Sequence, residues 1–263
     1  MSQSWDYIAK IVSLGDSGCG KSSLTIRITE GRFVHQHDVT IGVEFGSRII
    51  PVGPPASLTL GINDPSSSQA SPSSKKDASS QKHMKLSLWD TAGQETYKAI
   101  TRSYFRGASG ALLVFDITRR NTFQSVTSWL HDLRQIAEEG IVVVLVGNKA
   151  DLASEPTTNT SGRVEESKRQ VTQEEAEDWC KQNGVMRYVE TSAKSGDGVE
   201  RAFLEVAERI FQNVEAGKYD LNDRRSGVKS AGAGGGGGNT AKTVKLGTTD
   251  RPQVKKGAAG GCC

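Results

Sequence analysis

Residues 15–22 read Gly15-Asp16-Ser17-Gly18-Cys19-Gly20-Lys21-Ser22 and follow the apolar run Ile8-Ala9-Lys10-Ile11-Val12-Ser13-Leu14. A strand that delivers a G-x-x-x-x-G-K-[ST] loop onto a helix start admits few folds. The glycines let the chain wrap a phosphate chain with its N–H groups turned inward. The helix beginning near Gly20 adds its positive end. Lys21 reaches the β- and γ-phosphates and the Ser22 hydroxyl binds Mg²⁺, while Ser17, Gly18, Cys19 and Ser23 complete the cradle. A thiol beside such amides can have a lowered pKa, but the Cys19 side chain reads first as a small group packed beneath the loop.

Residues 147–151 read Gly147-Asn148-Lys149-Ala150-Asp151 and follow Ile141-Val142-Val143-Val144-Leu145-Val146, the kind of run that makes a buried parallel strand. The Asp151 carboxylate suits the adjacent N1–H and exocyclic amine of guanine, a donor pair that adenine lacks. Lys149 can lay its stem on the base and Asn148 can tie the loops together. In Glu190-Thr191-Ser192-Ala193-Lys194 the Ala193 N–H can meet the guanine O6, with Ser192 and Lys194 beside it. Between the two motifs, Asp90 ends an apolar strand and is expected to hold Mg²⁺ through water. Gly93 is expected to give its N–H to the γ-phosphate, and Gln94 to orient the attacking water. Thr40 can bind Mg²⁺ by its hydroxyl and the γ-phosphate by its N–H, so that its loop orders with GTP and is released with GDP. Phe33 is a candidate contact for the guanine ring.

Together these stretches resemble the Ras superfamily of small GTPases and, within it, the Rab family. Ile41-Gly42-Val43-Glu44-Phe45, Lys85–Trp89, Thr96–Thr101, Tyr104–Ala108 and Leu113–Thr118 carry the Rab likeness. Phe45, Trp89 and Tyr104, with Ile41 beside them, match the surface that Rab effectors read. Taken together, Ser47-Arg48-Ile49-Ile50, Asp116-Ile117-Thr118-Arg119-Arg120 and Asp220-Leu221-Asn222 with Ser226-Gly227-Val228 lean toward the branch working between the Golgi and early or recycling endosomes. The terminal Cys262-Cys263 resembles the Rab signal for two geranylgeranyl groups. The resemblance implies GTP and GDP as substrate and product, Mg²⁺ as cofactor, and a location on the cytoplasmic face of endomembranes. It also implies an exchange factor, a GTPase-activating protein, a GDP-dissociation inhibitor, a Rab escort protein with geranylgeranyl transferase, and tethering effectors. An ATP-using P-loop enzyme is the first alternative, against which Asn148-Lys149-x-Asp151 argues. A GTP-holding scaffold without turnover is the second.

The alternation of strand-like runs (about 7–14, 42–52, 84–89, 110–116, 141–147 and 186–190) with helical patterns predicts a three-layer α/β fold. Its sheet is expected to have six mostly parallel strands with helices on both faces. Helices are expected over about 121–139, opened by Asn121-x-x-Gln124 and ended by Gly140, from Thr172-x-x-Glu175 onward, and over about 198–215. Residues 5–216 form the expected GTPase domain. Insertions at about 54–83 and 154–168 lack an apolar period and read as disordered loops. Residues 217–263 read as a flexible tether. From Asn213 on, nine cations stand against four anions, a balance suited to an anionic membrane surface. No basic patch is interleaved with aromatics, which argues against nucleic acid as partner. No apolar run reaches the ~18 residues of a membrane helix, and four cysteines without paired spacing predict a cytosolic chain free of structural disulfides.

Overall fold

A computed structural model describes residues 4–35, 38–59, 81–94, 98–153, 157–158, 164–165, 167–221, 223 and 226–231. Its strands are β1 (Tyr7–Leu14), β2 (Val43–Val52), β3 (Lys82–Thr91), β4 (Gly110–Asp116), β5 (Val142–Asn148), β6 (Thr157–Thr158), β7 (Val164–Glu165), β8 (Arg187–Thr191) and β9 (Val228–Ser230). Its helices are α1 (Lys21–Glu30), α2 (Ala56–Thr59), α3 (Lys98–Ser103), α4 (Arg120–Gln124), α5 (Val126–Ile136), α6 (Gln173–Asn183) and α7 (Val199–Glu215). The main sheet runs β2-β3-β1-β4-β5-β8, with β2 antiparallel to β3 and the remaining neighbours parallel.

Burial follows the period of two in each central strand. In β1, Ala9 and Ile11 face one layer with Leu24 and Ile28 of α1 and Phe203, Val206 and Ile210 of α7. Val12 and Leu14 face the opposite layer with Val126, Leu130 and Leu133 of α5 and Ala176 and Cys180 of α6. Strands β4 and β5 are buried on both sides, as their unbroken apolar composition predicts. The expected three-layer α/β fold is therefore the one observed.

The structure departs from the sequence reading at four places. The sheet has a seventh strand: β9 pairs antiparallel with the first half of β1, Tyr7 opposite Ser230 and Ala9 opposite Val228. Val228 is fully buried, and Tyr219 and Leu221 pack on the core. Residues 217–231 are thus part of the domain where the structure describes them, not the start of a tether. The first insertion is shorter than read, because β3 already begins at Lys82 and α2 occupies residues 56–59. Residues 60–80 lie outside the described residues. Within the second insertion β6 and β7 pair as a small hairpin. Finally, the helix expected over 121–139 divides at Ser125 and ends at Ile136. Asn121 makes no capping box there; Arg119 is the N-cap residue, and Thr122 Oγ1 instead accepts from the Asp116 N–H at 3.1 Å. The cap at Thr172 does form, with Glu175 N–H donating to Thr172 Oγ1 at 3.2 Å.

Candidate functional site

The carboxyl ends of β1, β3, β5 and β8 face a cavity of about 420 Å³, where a sheet of this topology gathers ligands. Ser17, Gly18, Gly20 to Ser23, Phe33, Thr40, Gly93, Asn148, Lys149, Asp151, Ala193 and Lys194 line it. Nearly every residue expected at the nucleotide is therefore brought together. The Cys19 side chain is fully buried beneath the loop, and burial pushes its thiol pKa up. This is the packed, unreactive side chain that its place suggests. Gln94 follows Gly93 and is half-buried, but it does not itself line the cavity.

At the phosphate end, Gly20 adopts a positive φ of 91° where α1 begins, and an added Cβ would collide with the Asn148 amide. Lys21 is 5% exposed, and its Nζ donates to Gly15 O at 2.9 Å and Asp16 O at 3.0 Å. Burial lowers its pKa, with Asp90 opposing. Nζ thus spans the mouth of the loop with its charge ready for an anion. A Cβ on Gly93 would come within 2.6 Å of Gly15 O, so only glycine lets the two loops meet.

Ser22 Oγ lies 2.8 Å from Thr40 Oγ1 and donates to Asp90 Oδ2. Asp90 is fully buried and Thr40 nearly so. Two hydroxyls and a carboxylate on one point form a hard-oxygen set that fits Mg²⁺, whose remaining places go to phosphate and water. No group of three His, Cys, Asp or Glu suited to a metal occurs among the described residues.

At the base end, Asn148 is 1% exposed and knits three loops together. Its Nδ2 donates to Cys19 O at 2.8 Å, and its Oδ1 accepts from Thr191 Oγ1 and the Ala193 N–H, both at 3.2 Å. Asp151 Oδ1 accepts from Ser192 Oγ at 2.7 Å, so Ser192 acts from behind the lining. Lys149 is the one non-glycine residue with positive φ among those described, at 72°. That conformation costs on the order of 1 kcal/mol and is held by the ion pair of its Nζ with Asp116 Oδ2 at 2.7 Å. Burial opposes ionisation of Asp116, but hydrogen bonds from Lys149 and Thr118 outweigh it and keep the carboxyl below its ordinary pKa.

Three supporting residues have roles that a reading of motifs does not assign, although Asp116 and Arg119 fall within stretches that carry the family likeness. Asp116 ends β4 directly opposite Asn148 of β5; an acid closing an otherwise apolar strand was the available signal. Arg119 lies behind the phosphate loop. Arg27 of α1 donates to Ala193 O at 2.8 Å and to Lys194 O, fixing the loop that carries the Ala193 N–H. Nothing in the spacing of Arg27 announces that contact.

On the adjoining surface, Phe45 meets Trp89 edge-on with centroids 4.6 Å apart, and Trp89 lies 5.8 Å from Tyr104. Ile41 and Phe45 are 77% and 65% exposed. Residues 95–97, of which 96 and 97 open one stretch of the resemblance, and Cys262 and Cys263 lie outside the described residues.

The family model described as the Ras family matches residues 10–212. That span carries the phosphate loop, the Ser22–Thr40–Asp90 oxygens and both base loops, and members of the family are GTP-binding switches. The chain belongs to the Ras family of small GTPases.

Proposed function

We propose that this GTP-binding switch is of the Rab type. It hydrolyses GTP, and lipids on Cys262 and Cys263 anchor it to the cytoplasmic face of Golgi or early or recycling endosomal membranes, where it regulates vesicular traffic. The convergence of phosphate loop, hard-oxygen cluster and guanine loop on one cavity carries the enzymatic part of this reading. The exposed Ile41 and Phe45, with Phe45 packed on the partly buried Trp89 and Trp89 beside Tyr104, support the Rab part, since large apolar groups left in solvent mark a partner surface.

In the reaction, water attacks the γ-phosphorus in line and the bond to the β–γ bridging oxygen breaks. Gln94 orients the water. Lys21 and the inward amides of the phosphate loop receive the charge shifted onto the leaving oxygens, and the Gly93 N–H faces the γ-phosphate. Ser22, Thr40 and Asp90 would hold Mg²⁺, which would supply positive charge against the phosphates. No arginine lines the cavity among the described residues, so intrinsic turnover is expected on the order of 10⁻⁴ to 10⁻³ s⁻¹. A GTPase-activating protein then supplies the missing charge, and an exchange factor releases GDP. Tethering effectors read the aromatic surface. A GDP-dissociation inhibitor, a Rab escort protein and geranylgeranyl transferase handle the lipidated end.

Single-turnover phosphate release from protein loaded with GTP and Mg²⁺ tests the chemistry. Wild type should release phosphate slowly, and Gln94→Leu about tenfold more slowly still. Stable GTP binding without phosphate release by wild type would make the chain a GTP-holding scaffold.

A further inference from the structure

A loop that turns its N–H groups inward onto a phosphate chain turns carbonyls outward, and those carbonyls need donors. Lys21 serves Gly15 O and Asp16 O, and Asn148 serves Cys19 O. Ser17 O is served by Arg119, whose Nη2 lies 3.2 Å away. The same Nη2 is 3.8 Å from Cys19 Sγ, and a Cβ on Gly18 would stand 3.4 Å from it. The guanidinium therefore lies across the outer face of three consecutive loop residues. Beside it, the Trp129 indole N–H donates to Asp16 Oδ1 at 2.7 Å.

Arg119 is itself held. Its Nε donates to Asp116 Oδ2 at 2.9 Å, the oxygen that also pairs with Lys149 Nζ at 2.7 Å. Asp116 Oδ1 accepts from the Thr118 N–H at 2.9 Å and the Thr118 hydroxyl at 2.6 Å. Each carboxylate oxygen thus takes two donors, which fills its accepting capacity. The carboxylate is only 1% exposed, and neither Asp116 nor Arg119 lines the cavity.

We propose that Arg119 is a positioning residue for nucleotide retention: it braces the phosphate loop from behind and, through Asp116, links that loop to Lys149 of the guanine loop. The inference rests on the cavity being a guanine-nucleotide site. The two ends of the nucleotide are gripped by loops far apart in sequence, and a shared buried carboxylate makes them open together or not at all. Arginine fits the task because its planar fork serves a carboxylate and a carbonyl at once, which a single ammonium does not.

The test uses the full chain loaded with fluorescently labelled GDP and chased with unlabelled GDP. Arg119→Gln and Arg119→Ala should release labelled GDP about tenfold faster than wild type, a difference of about 1.4 kcal/mol, and Arg119→Lys should fall between. The single-turnover rate on pre-loaded GTP should move less than twofold, a split between retention and chemistry that general loosening of the fold would not give. Combining Arg119→Gln with Asp116→Asn should accelerate release by less than the product of the single effects, because both break one link. Release within twofold of wild type in both Arg119→Gln and Arg119→Ala overturns the proposal. So does full additivity with Asp116→Asn, or hydrolysis slowed in proportion to release. Failure of wild type to take up labelled GDP would instead remove the nucleotide reading beneath it.

Discussion

Asp151 Oδ1 accepts from Ser192, and its Oδ2 lies 4.0 Å from Lys194 Nζ, so the carboxylate meets the base end of the cavity in a set orientation. Asp151→Asn replaces one acceptor with a donor and should exchange guanine for xanthine, lowering GTP affinity by ~10⁴-fold; titration with labelled GTP and XTP checks this. Glu190, at the head of the second base loop, is clamped by both terminal nitrogens of Arg169 at 2.7 and 2.8 Å. The Arg169 guanidinium holds Glu190 below its ordinary pKa of 4.5, outweighing the opposing effect of burial. A folded-state pKa lowered in this way makes the pair's contribution complete above about pH 4.5, and it is lost as pH falls through the folded value. Glu190→Gln should therefore cost about 1 kcal/mol at pH 7. Thermal melts from pH 7 downward should show mutant and wild type converging as pH falls below the folded-state pKa of Glu190. Asp151, Lys21 and Ser22 are legible in sequence because their chemistry is written within a few neighbouring positions. Asp116, Arg119 and Arg27 are not, because each acts on a partner that only strand register and helix packing bring near.

Elements divide the same way. The alternating strands and helices are readable because apolar period alone separates them, and the cap at Thr172 is readable because its partner is three residues away. Strand β9 is not readable: its three residues carry no period, and what recruits them is the stretch of β1 that β4 leaves unpaired on that side. Strand β4 pairs only from Ile11 onward, and β9 covers Tyr7 to Ala9. Gly227 makes the approach possible. A Cβ there would lie 2.8 Å from Ser109 N and 3.0 Å from the Gly107 carbonyl carbon, whereas now its carbonyl accepts from the Lys10 N–H at 3.0 Å. Gly227→Val should detach the strand and expose Val228, costing about 2 kcal/mol. Limited proteolysis should then cut within residues 217–231, the melting temperature should fall by roughly 4–8 °C, and GDP release should stay as in wild type. Protection from protease equal to wild type would show that the strand does not hold this segment.

For the whole molecule, the two ends of the sheet are assigned to different tasks. Thr91 pairs with Val43 at the cavity end, while Val52 pairs with Lys82 at the far end, where the first insertion is rooted. That root is secured by Gln81, which donates to Val52 O at 2.8 Å, and by Glu208, which accepts from the Gly53 N–H at 2.8 Å. The tail leaves at the far end too, since the Ala231 N–H donates to Asp6 O at 2.8 Å. Changing Cys262 and Cys263 together to Ser should abolish membrane attachment, and each single change should weaken it, because one lipid chain binds only marginally. Fractionation of cells checks this, and persistence of the double mutant in the membrane pellet would assign the anchor to the basic tail or a partner. The antiparallel docking of β9 also has a mechanical side. A pull on the chain beyond Ala231, directed away from the cavity, runs along β9, so its bonds to β1 are loaded together in shear and do not unzip one at a time. Tension on the tail would then be taken up by the backbone of β1 at the end remote from Lys21, and the nucleotide loops would feel little of it.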